Sequence, residues 1–527
     1  MAAADAPVSR GLLLFSALIA GFVITGVEIT LGRLLAPFFG ASLAVWSAII
    51  ASVIAALTAG YIIGGALIDR MPRLIVPLLA LLGGGLSSAL LGVISPVVLR
   101  NLMDGVAFHG FDYWWRLSFA LAFFAVSCGA LAMVAPAVLR LALGDRQTSG
   151  HVAGWVYGVG SAGSVAGILL PALWWVPQWG VKVTFILLGA MSVLPSALAL
   201  ASRKPGAATM TVCGVLCLVG AWLIPEGARA PDIPGAQVIF EGETPLQHVR
   251  ILERREPQRL VRWLQVNEAG ASQSILVEPG LMTYGVWDWL ALSALHARPD
   301  DGRLDVLIIG LAAGTVSRLL HEIIAPALPP LRIVGVEIDP RIVELGAAYF
   351  GLDTAKVDVQ IADGRTYLRS STERFDLIIL DAYRPPTIPA HLATVEFFEE
   401  VRTKLAPAGL VVLNIYSPVV STPLLQGMAA TWTTVFPNAQ WVVGPEYDGF
   451  ASRLLLGGGA LPAEHDDRRT QHLPPRWADE WVAMTRRTAP VALTPAAIMW
   501  TDDRSDAERQ TDYAYRMARA PLIIRNN

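Results

Sequence analysis

Charge is what this sequence has little of. Asp, Glu, Lys and Arg make up 16% of its 527 residues, against about 25% in a soluble domain. A wholly water-soluble chain is thereby excluded, and much of the protein is expected in lipid. Cysteine is scarce too: Cys128, Cys213 and Cys217 all fall in apolar runs. The spacing of Cys213 and Cys217 on a helix suits a metal or a disulfide, but the plainer reading is small buried thiols between helices. His296, His321 and His391 lie far apart without ligand spacing, so no metal is expected. No basic groove with interleaved aromatics is present, which argues against a nucleic-acid partner.

What is there is hydrocarbon: 54% of residues are hydrophobic and the mean hydropathy is +0.51. A bilayer crossing needs about 20 apolar residues, and seven runs qualify, near 11–36, 44–68, 74–99, 117–143, 152–178, 181–202 and 207–225. The first run is too long, and too closely followed by others, for a cleaved signal peptide. Dense glycine in GYIIGGALIDR and GWVYGVGSAGSVAGILLP predicts helices packed backbone to backbone. Glu28, with Arg33 after it, lies within the first run, where an acid is costly; a substrate or proton site and a packing pair with Arg33 stand equal. Trp114, Trp115, Trp174, Trp175 and Trp179 lie near run ends, as an aromatic belt requires.

The side of the membrane is contested. With an inward amino terminus, the inner loops carry Arg10, Arg70, Arg73, Arg140, Arg146, Arg203 and Lys204, and the outer ones Arg33, Arg100, Arg116 and Lys182. That bias favours an inward amino terminus, which over seven spans puts the polar half outside. The excess is moderate, and one misread span reverses it. The expectation leans to a multi-pass protein of a bacterial-type inner membrane with its polar half in the cytoplasm, the periplasm remaining open.

Charge becomes frequent after about Pro225, so a second domain is expected there. The boundaries read as a membrane domain 1–228, a small antiparallel β subdomain 236–300, a Rossmann-like α/β domain 301–460 and an extension 461–527. TPLQHVRILE, LVRWLQVNE and ASQSILV are short β-rich segments. Then RLDVLIIG, RIVGVEID, VDVQIAD, FDLIILD and GLVVLNIY alternate with the helical TVSRLLHEIIA, PRIVELGAAYFG and TVEFFEEVRTKLA. That alternation predicts a parallel sheet covered on both faces. Pro340 suits a first helical turn, and Thr394 an N-cap. The segment 460–494, rich in Pro, Arg, Asp and Trp, reads as a surface excursion.

Open parallel sheets bind ligands at the carboxyl ends of their strands. Three successive ends carry an acid, Glu337, Asp363 and Asp381, and a shared site is expected there. The turn GLAAGT, from Gly310 through Gly314, lets backbone approach a ligand; no cation attends it, so a nucleoside fits better than a pyrophosphate. An acid at the second strand end suits ribose hydroxyls.

Through TPLQHVRI, GASQS, VLIIGLAAGT, VGVEIDP, the pair Asp363–Gly364 and LIILDAY, the stretch from Glu243 to Gly457 resembles the spermidine synthase (aminopropyltransferase) family, a branch of the S-adenosylmethionine-dependent methyltransferase fold. The whole chain is similar to membrane proteins described as fused transporter-like/spermidine synthases, through GFVITGVEITLGRLLAPFFG, GYIIGGALIDR and the tail MWTDDRSDAE. The resemblance implies that Glu337 holds ribose hydroxyls, that Asp363 with Gly364 meets the adenine, and that Asp381 is the catalytic acid. Gln273 and Tyr284 match pocket residues more loosely, with Tyr383 and Arg384 beside Asp381. It implies decarboxylated S-adenosylmethionine or S-adenosylmethionine as co-substrate and an amine-type acceptor. Two positions depart: Ala313 stands where the family has the acid that holds the donor's amine, and Arg384 where it has a second acid gripping the acceptor. Both remove negative charge, so a non-standard acceptor is expected. A methyltransferase, and a transporter or sensor using Glu28, are the rival readings. Oligomeric state, a homo-oligomer included, stays open.

Overall fold

The computed structural model describes residues 9–39, 43–103, 111–143, 149–201, 206–223, 233–267, 272–297, 302–328, 330–383, 388–418, 422–447, 450–459, 470–494 and 497–511. The chain divides into an amino-terminal helical unit and a carboxy-terminal α/β unit.

The helical unit comprises α1 (Arg10–Phe39), α2 (Leu43–Arg70), α3 (Ile75–Met103), α4 (Phe111–Ala132), α5 (Val134–Ala142), α6 (Ser149–Leu170), α7 (Val176–Ala201) and α8 (Ala207–Leu223). Among the described residues, five helical stretches are long and apolar enough to cross a membrane, not the seven expected. The fifth and sixth runs form one 53-residue stretch, Ser149–Ala201, whose backbone breaks at Gly180 (φ 78°, ψ 174°). The seventh, α8, has only 17 residues.

Small residues let these helices touch. A Cβ on Gly163 would overlap the Leu18 carbonyl, one on Gly167 the Phe22 carbonyl, and one on Gly60 the Gly129 carbonyl. The Thr25 hydroxyl also donates across α1 and α6 to the Ser164 carbonyl (2.8 Å). Arg33 donates to the Pro245 carbonyl, and Glu28 lies half-buried on α1.

The cysteine and tryptophan expectations need correction. Cys128 is buried, but Cys213 and Cys217 are exposed free thiols. The inward stripe of α8 is Met210, Gly214 and Ala221, which turns both thiols outward. Trp175 is buried rather than belted, packed edge-on against Phe22 at 5.6 Å.

The α/β unit begins with a four-stranded sheet ordered β1 (Gln237–Glu243), β2 (His248–Glu256), β3 (Arg259–Val266) and β4 (Ser272–Glu278). The pairs β2–β3 and β3–β4 are antiparallel. One face buries Val249, Ile251, Leu264 and Leu276 against Ala313, Leu345 and Phe350. After α9 (Val286–Leu292) comes the main sheet, with α10 (Thr315–Leu319) following its first strand: β5 (Leu304–Ile309), β6 (Leu331–Glu337), β7 (Val357–Ile361), β8 (Phe375–Leu380), β9 (Leu405–Pro418), β10 (Gln440–Tyr447), β11 (Phe450–Gly458) and β12 (Thr488–Pro490). Its spatial order is β12-β10-β11-β9-β8-β5-β6-β7.

The five strands β7, β6, β5, β8 and β9 are parallel, and β11, β10 and β12 add an antiparallel edge. Strand order reverses between β5 and β8, where the chain leaves β7 and returns on the other side of β5; a crevice forms at such a point. Side chains alternate between two cores, as period two demands. Val306, Ile308 and Ile379 meet Leu290 and Leu319, while Leu307, Ile378 and Val411 meet Phe397, Leu424 and Trp432.

The segment expected as a surface excursion is core. Residues 461–469 lie outside the described residues, but the helix Pro475–Arg486 buries Trp477, Trp481 and Met484 against the first of these cores, and β12 extends the sheet edge. Its polar composition belongs to the outer face of an amphipathic helix.

Candidate active site

Two helices that follow parallel strands begin on side-chain caps. Asp339 caps α11 (Pro340–Leu345), accepting from the Arg341 amide (3.0 Å) with Pro340 in the first turn. Thr394 caps α13 (Val395–Thr403) through the Phe397 amide (3.3 Å).

The turn after β5 is the hub. Gly310 has φ 92° and Gly314 φ 87°, a region that favours glycine. A Cβ on Gly310 would stand 2.5 Å from the Asp381 carbonyl oxygen, so the ends of β5 and β8 meet backbone to backbone. The Asp381 amide donates to the Ile309 carbonyl (2.9 Å). At the other flank, Glu337 accepts from the Ala312 amide (2.9 Å) and the Asp339 amide (3.1 Å). Burial pushes the Glu337 carboxyl above its ordinary value against these hydrogen bonds. The Ile338 amide also bonds it, so of about four lone-pair directions on a carboxylate one remains for a hydroxyl donor.

Asp363 follows β7 and caps α12 (Gly364–Ser370): Oδ1 accepts from the Thr366 amide (3.0 Å), and Oδ2 lies 2.8 Å from His391 Nε2. Burial raises its carboxyl, but the hydrogen bonds from His391 and Thr366 outweigh it and hold the group below its ordinary value. A Cβ on Gly364 would overlap the Ile309 side chain, which ties this strand end to β5. The turn therefore connects all three acids: Asp381 through Gly310, Glu337 through Ala312, and Asp363 through Gly364 and Ile309.

The small sheet fastens to the same turn. Ser274 Oγ accepts from the Ala313 amide (3.0 Å), and Thr315 Oγ1 bridges the amide and carbonyl of Ile275. Gln273 precedes Ser274 on β4 and is partly buried. Ala313 itself is fully buried. Tyr284 (φ 57°) lies under the Arg259 guanidinium (5.9 Å to the ring centre) and accepts from Arg476; neither contact ties it to Asp381. Arg384 lies outside the described residues.

Sequence reasoning missed Asn414. Leu380 and Leu413 are partners across the parallel pair β8–β9, so Asp381 and Asn414 follow side by side. Asn414 Nδ2 donates to Asp381 Oδ1 (2.8 Å). Burial pushes the Asp381 carboxyl up to about 7 despite that hydrogen bond. Tyr383 clips the same strand: its hydroxyl donates to the Asn414 carbonyl (2.8 Å) and accepts from the Tyr416 amide (2.9 Å), while burial holds the phenol well above its usual range. An amide in the apolar run VVLNIY was the available signal.

Among the described residues no group of His, Cys, Asp and Glu is placed to hold a metal ion. One of the three acids, Asp381, is a carboxyl pushed up to about 7 by burial, close to neutrality as a general base requires.

Residues 290–456 match the spermine/spermidine synthase domain family. A probable polyamine aminopropyl transferase of Bifidobacterium longum is 30% identical over 207 residues, 38% of this chain and 44% of that protein. A polyamine aminopropyltransferase of Vibrio vulnificus is 32% identical over 171 residues, 32% of this chain and 54% of its own length. The chain thus spans about half the length of these curated relatives. A solved structure of a probable spermidine synthase from Corynebacterium glutamicum aligns over 50% of this chain and 100% of its own, at 20% identity and a TM-score of 0.36. The carboxy-terminal region of this chain is a spermidine synthase-like domain.

Proposed function

We propose that this chain is a membrane-embedded transferase that uses an adenosyl sulfonium, decarboxylated S-adenosylmethionine or S-adenosylmethionine, to alkylate an amine-type acceptor. The observation that carries this reading is the abutment of Gly310 on Asp381. It places the open turn and the carboxyl titrating near 7 at the reversal of strand order, where such sheets bind ligands.

In this reading Glu337 meets the ribose hydroxyls with the lone-pair room its backbone partners leave, and Asp363 with Gly364 meets the adenine. Asp381 takes the proton that the acceptor loses. The amine nitrogen forms its bond to the carbon beside sulfur, the carbon–sulfur bond breaks toward sulfur, and a neutral thioether leaves. The negative rim also gathers cationic substrates. Arg384, one residue past Tyr383, would select an acceptor carrying a carboxylate or phosphate. Mass spectrometry of products from both sulfonium donors, each with a panel of amines, tests this: a propylamine adduct supports it, and unchanged amines with both donors oppose it.

Methyl transfer is the second reading, favoured by Ala313. Its side chain is fully buried against Ile342, Leu345 and Phe350, so no acid holds a donor amine from that position. A methylated product would select it.

The helical unit is taken to span the membrane seven times, the break at Gly180 dividing the longest stretch and α8 completing the set. The α/β unit is placed in the cytoplasm, where sulfonium donors occur. A periplasm-dependent reporter fused after Asn527 stays inactive if this is right.

A further inference from the structure

The side-chain amide of Asn414 is only half used. Its Nδ2 is committed to Asp381, whereas its Oδ1 is buried with no hydrogen-bond partner, on a residue 5% exposed. A buried acceptor left without a partner is destabilising, so such an atom beside a recessed carboxyl points to an N–H or O–H donor brought by a ligand. On Asp381, Asn414 is the one side chain that bonds the carboxylate among the described residues, which leaves Oδ2 open. Two acceptors therefore stand side by side, one on each of two adjacent parallel strands. The Tyr383 clip, which bonds the backbone on both sides of Ile415, fixes Asn414 against the Asp381 segment.

We infer that Asn414 positions the acceptor: its Oδ1 takes one N–H of a neutral primary amine while Asp381 Oδ2 takes the other. The inference rests on the transferase reading above. A neutral primary amine has two N–H bonds and one lone pair. Held by two acceptors, it aims the lone pair away from both, toward the carbon it attacks. As the new bond forms, the nitrogen gains positive charge and Asp381 Oδ2 takes the proton; the electron pair of the broken carbon–sulfur bond stays on sulfur. An amine without N–H bonds has nothing to offer either acceptor. The site therefore takes primary amines, and Asn414 acts through orientation rather than proton transfer.

The test uses the full-length chain in lipid nanodiscs, with putrescine and other primary diamines and the tetramethyl analogue of putrescine. Wild type alkylates or binds a primary diamine, and the tetramethyl analogue neither reacts nor competes. Asn414→Leu removes both halves of the amide: KM for the amine rises about tenfold, the loss of one hydrogen bond of about 1.4 kcal/mol, while donor affinity by calorimetry is unchanged. Asn414→Asp keeps an acceptor for the amine but sets a like charge beside Asp381. Its KM for the amine stays near the wild-type value, and the midpoint of its pH–rate profile moves up. A merely structural role would move KM and midpoint together in both variants. Equal effects of the two variants, unchanged amine KM in Asn414→Leu, or competition by the tetramethyl compound overturns the inference and leaves the transferase reading standing. Donor binding with no primary amine bound or alkylated overturns both. Should Asn414→Leu fail to fold, Asn414→Asp and the tetramethyl competition on wild type decide.

Discussion

Gly310 and Asp381 stand backbone against backbone, with room for a hydrogen but not a methyl group: a Cβ on Gly310 would lie 2.5 Å from the Asp381 carbonyl oxygen and 2.6 Å from its carbonyl carbon. This contact makes the β5 turn and the β8 end a single piece. Gly310→Ala adds the methyl at φ 92°, where the left-handed backbone alone costs roughly 1–2 kcal/mol, and it pushes Asp381 out of register with Asn414. The variant is expected to melt lower and to lose donor binding and turnover together, as read by thermal unfolding and calorimetry.

Asp381 separates activity from stability. Its carboxyl titrates at about 7, raised chiefly by burial, so the base form accumulates above that pH. The rate is expected to rise with pH through about 7 and then level. Asp381→Asn should lose about 10²–10⁴-fold in turnover with donor affinity retained. Stability responds to pH in the opposite direction. A group whose folded value exceeds its unfolded one binds its proton more tightly when folded, so it destabilises as pH rises from about 4 to 7. Asp381→Asn, neutral throughout, is expected to melt higher than wild type at pH 8. A pH-independent rate, or a variant melting lower at pH 8, contradicts the role.

Arg365 ties the tail to the donor-side helix. Its side chain is 7% exposed and bonds Glu400 and Asp502, with Nη1 also donating to the His391 carbonyl (3.1 Å). Breaking a buried pair costs about 3–5 kcal/mol; the carboxylates here are partly solvated, which reduces the loss to about 2–3 kcal/mol. Arg365→Ala is expected to show this in denaturant unfolding. Hydrogen bonding to Arg365 holds the Asp502 carboxyl below its ordinary value, so the bridge stabilises above the usual carboxylate range and weakens as pH falls below it. An unfolding midpoint equal to wild type would refute the clamp.

How far the sequence disclosed this arrangement follows from distance along the chain. The β5–β9 strands were legible because each is a short run rich in Val, Ile and Leu closed by a glycine, an acid or a tyrosine, and the caps at Asp339 and Thr394 act within three residues. The edge strands β10 and β11 were not legible: QWVVGPEY is interrupted by Gly444 and Pro445, and FASRLLLGG by Ser452 and Arg453. Arg365 and Asp502 are joined over 137 positions, a pairing set by packing rather than by local pattern. Trp477 and Trp481 were misjudged because the polar face of their helix dominates its composition. Asn414 was overlooked because its partner, Asp381, lies on the neighbouring strand.

The acids are claimed to cradle adenosine, and Asp363 tests this with little disturbance to the fold. Asn caps a helix about as well as Asp, so Asp363→Asn keeps the Thr366 contact at the start of α12 and changes only what the carboxylate offers beyond it. The decisive measurement is calorimetric titration of the full-length chain with both sulfonium donors and their thioether products, wild type against Asp363→Asn. Saturable binding of at least one donor and its thioether by wild type, weakened about tenfold in the variant, is expected. Absence of binding for all the ligands, or equal affinities in both proteins, would contradict it.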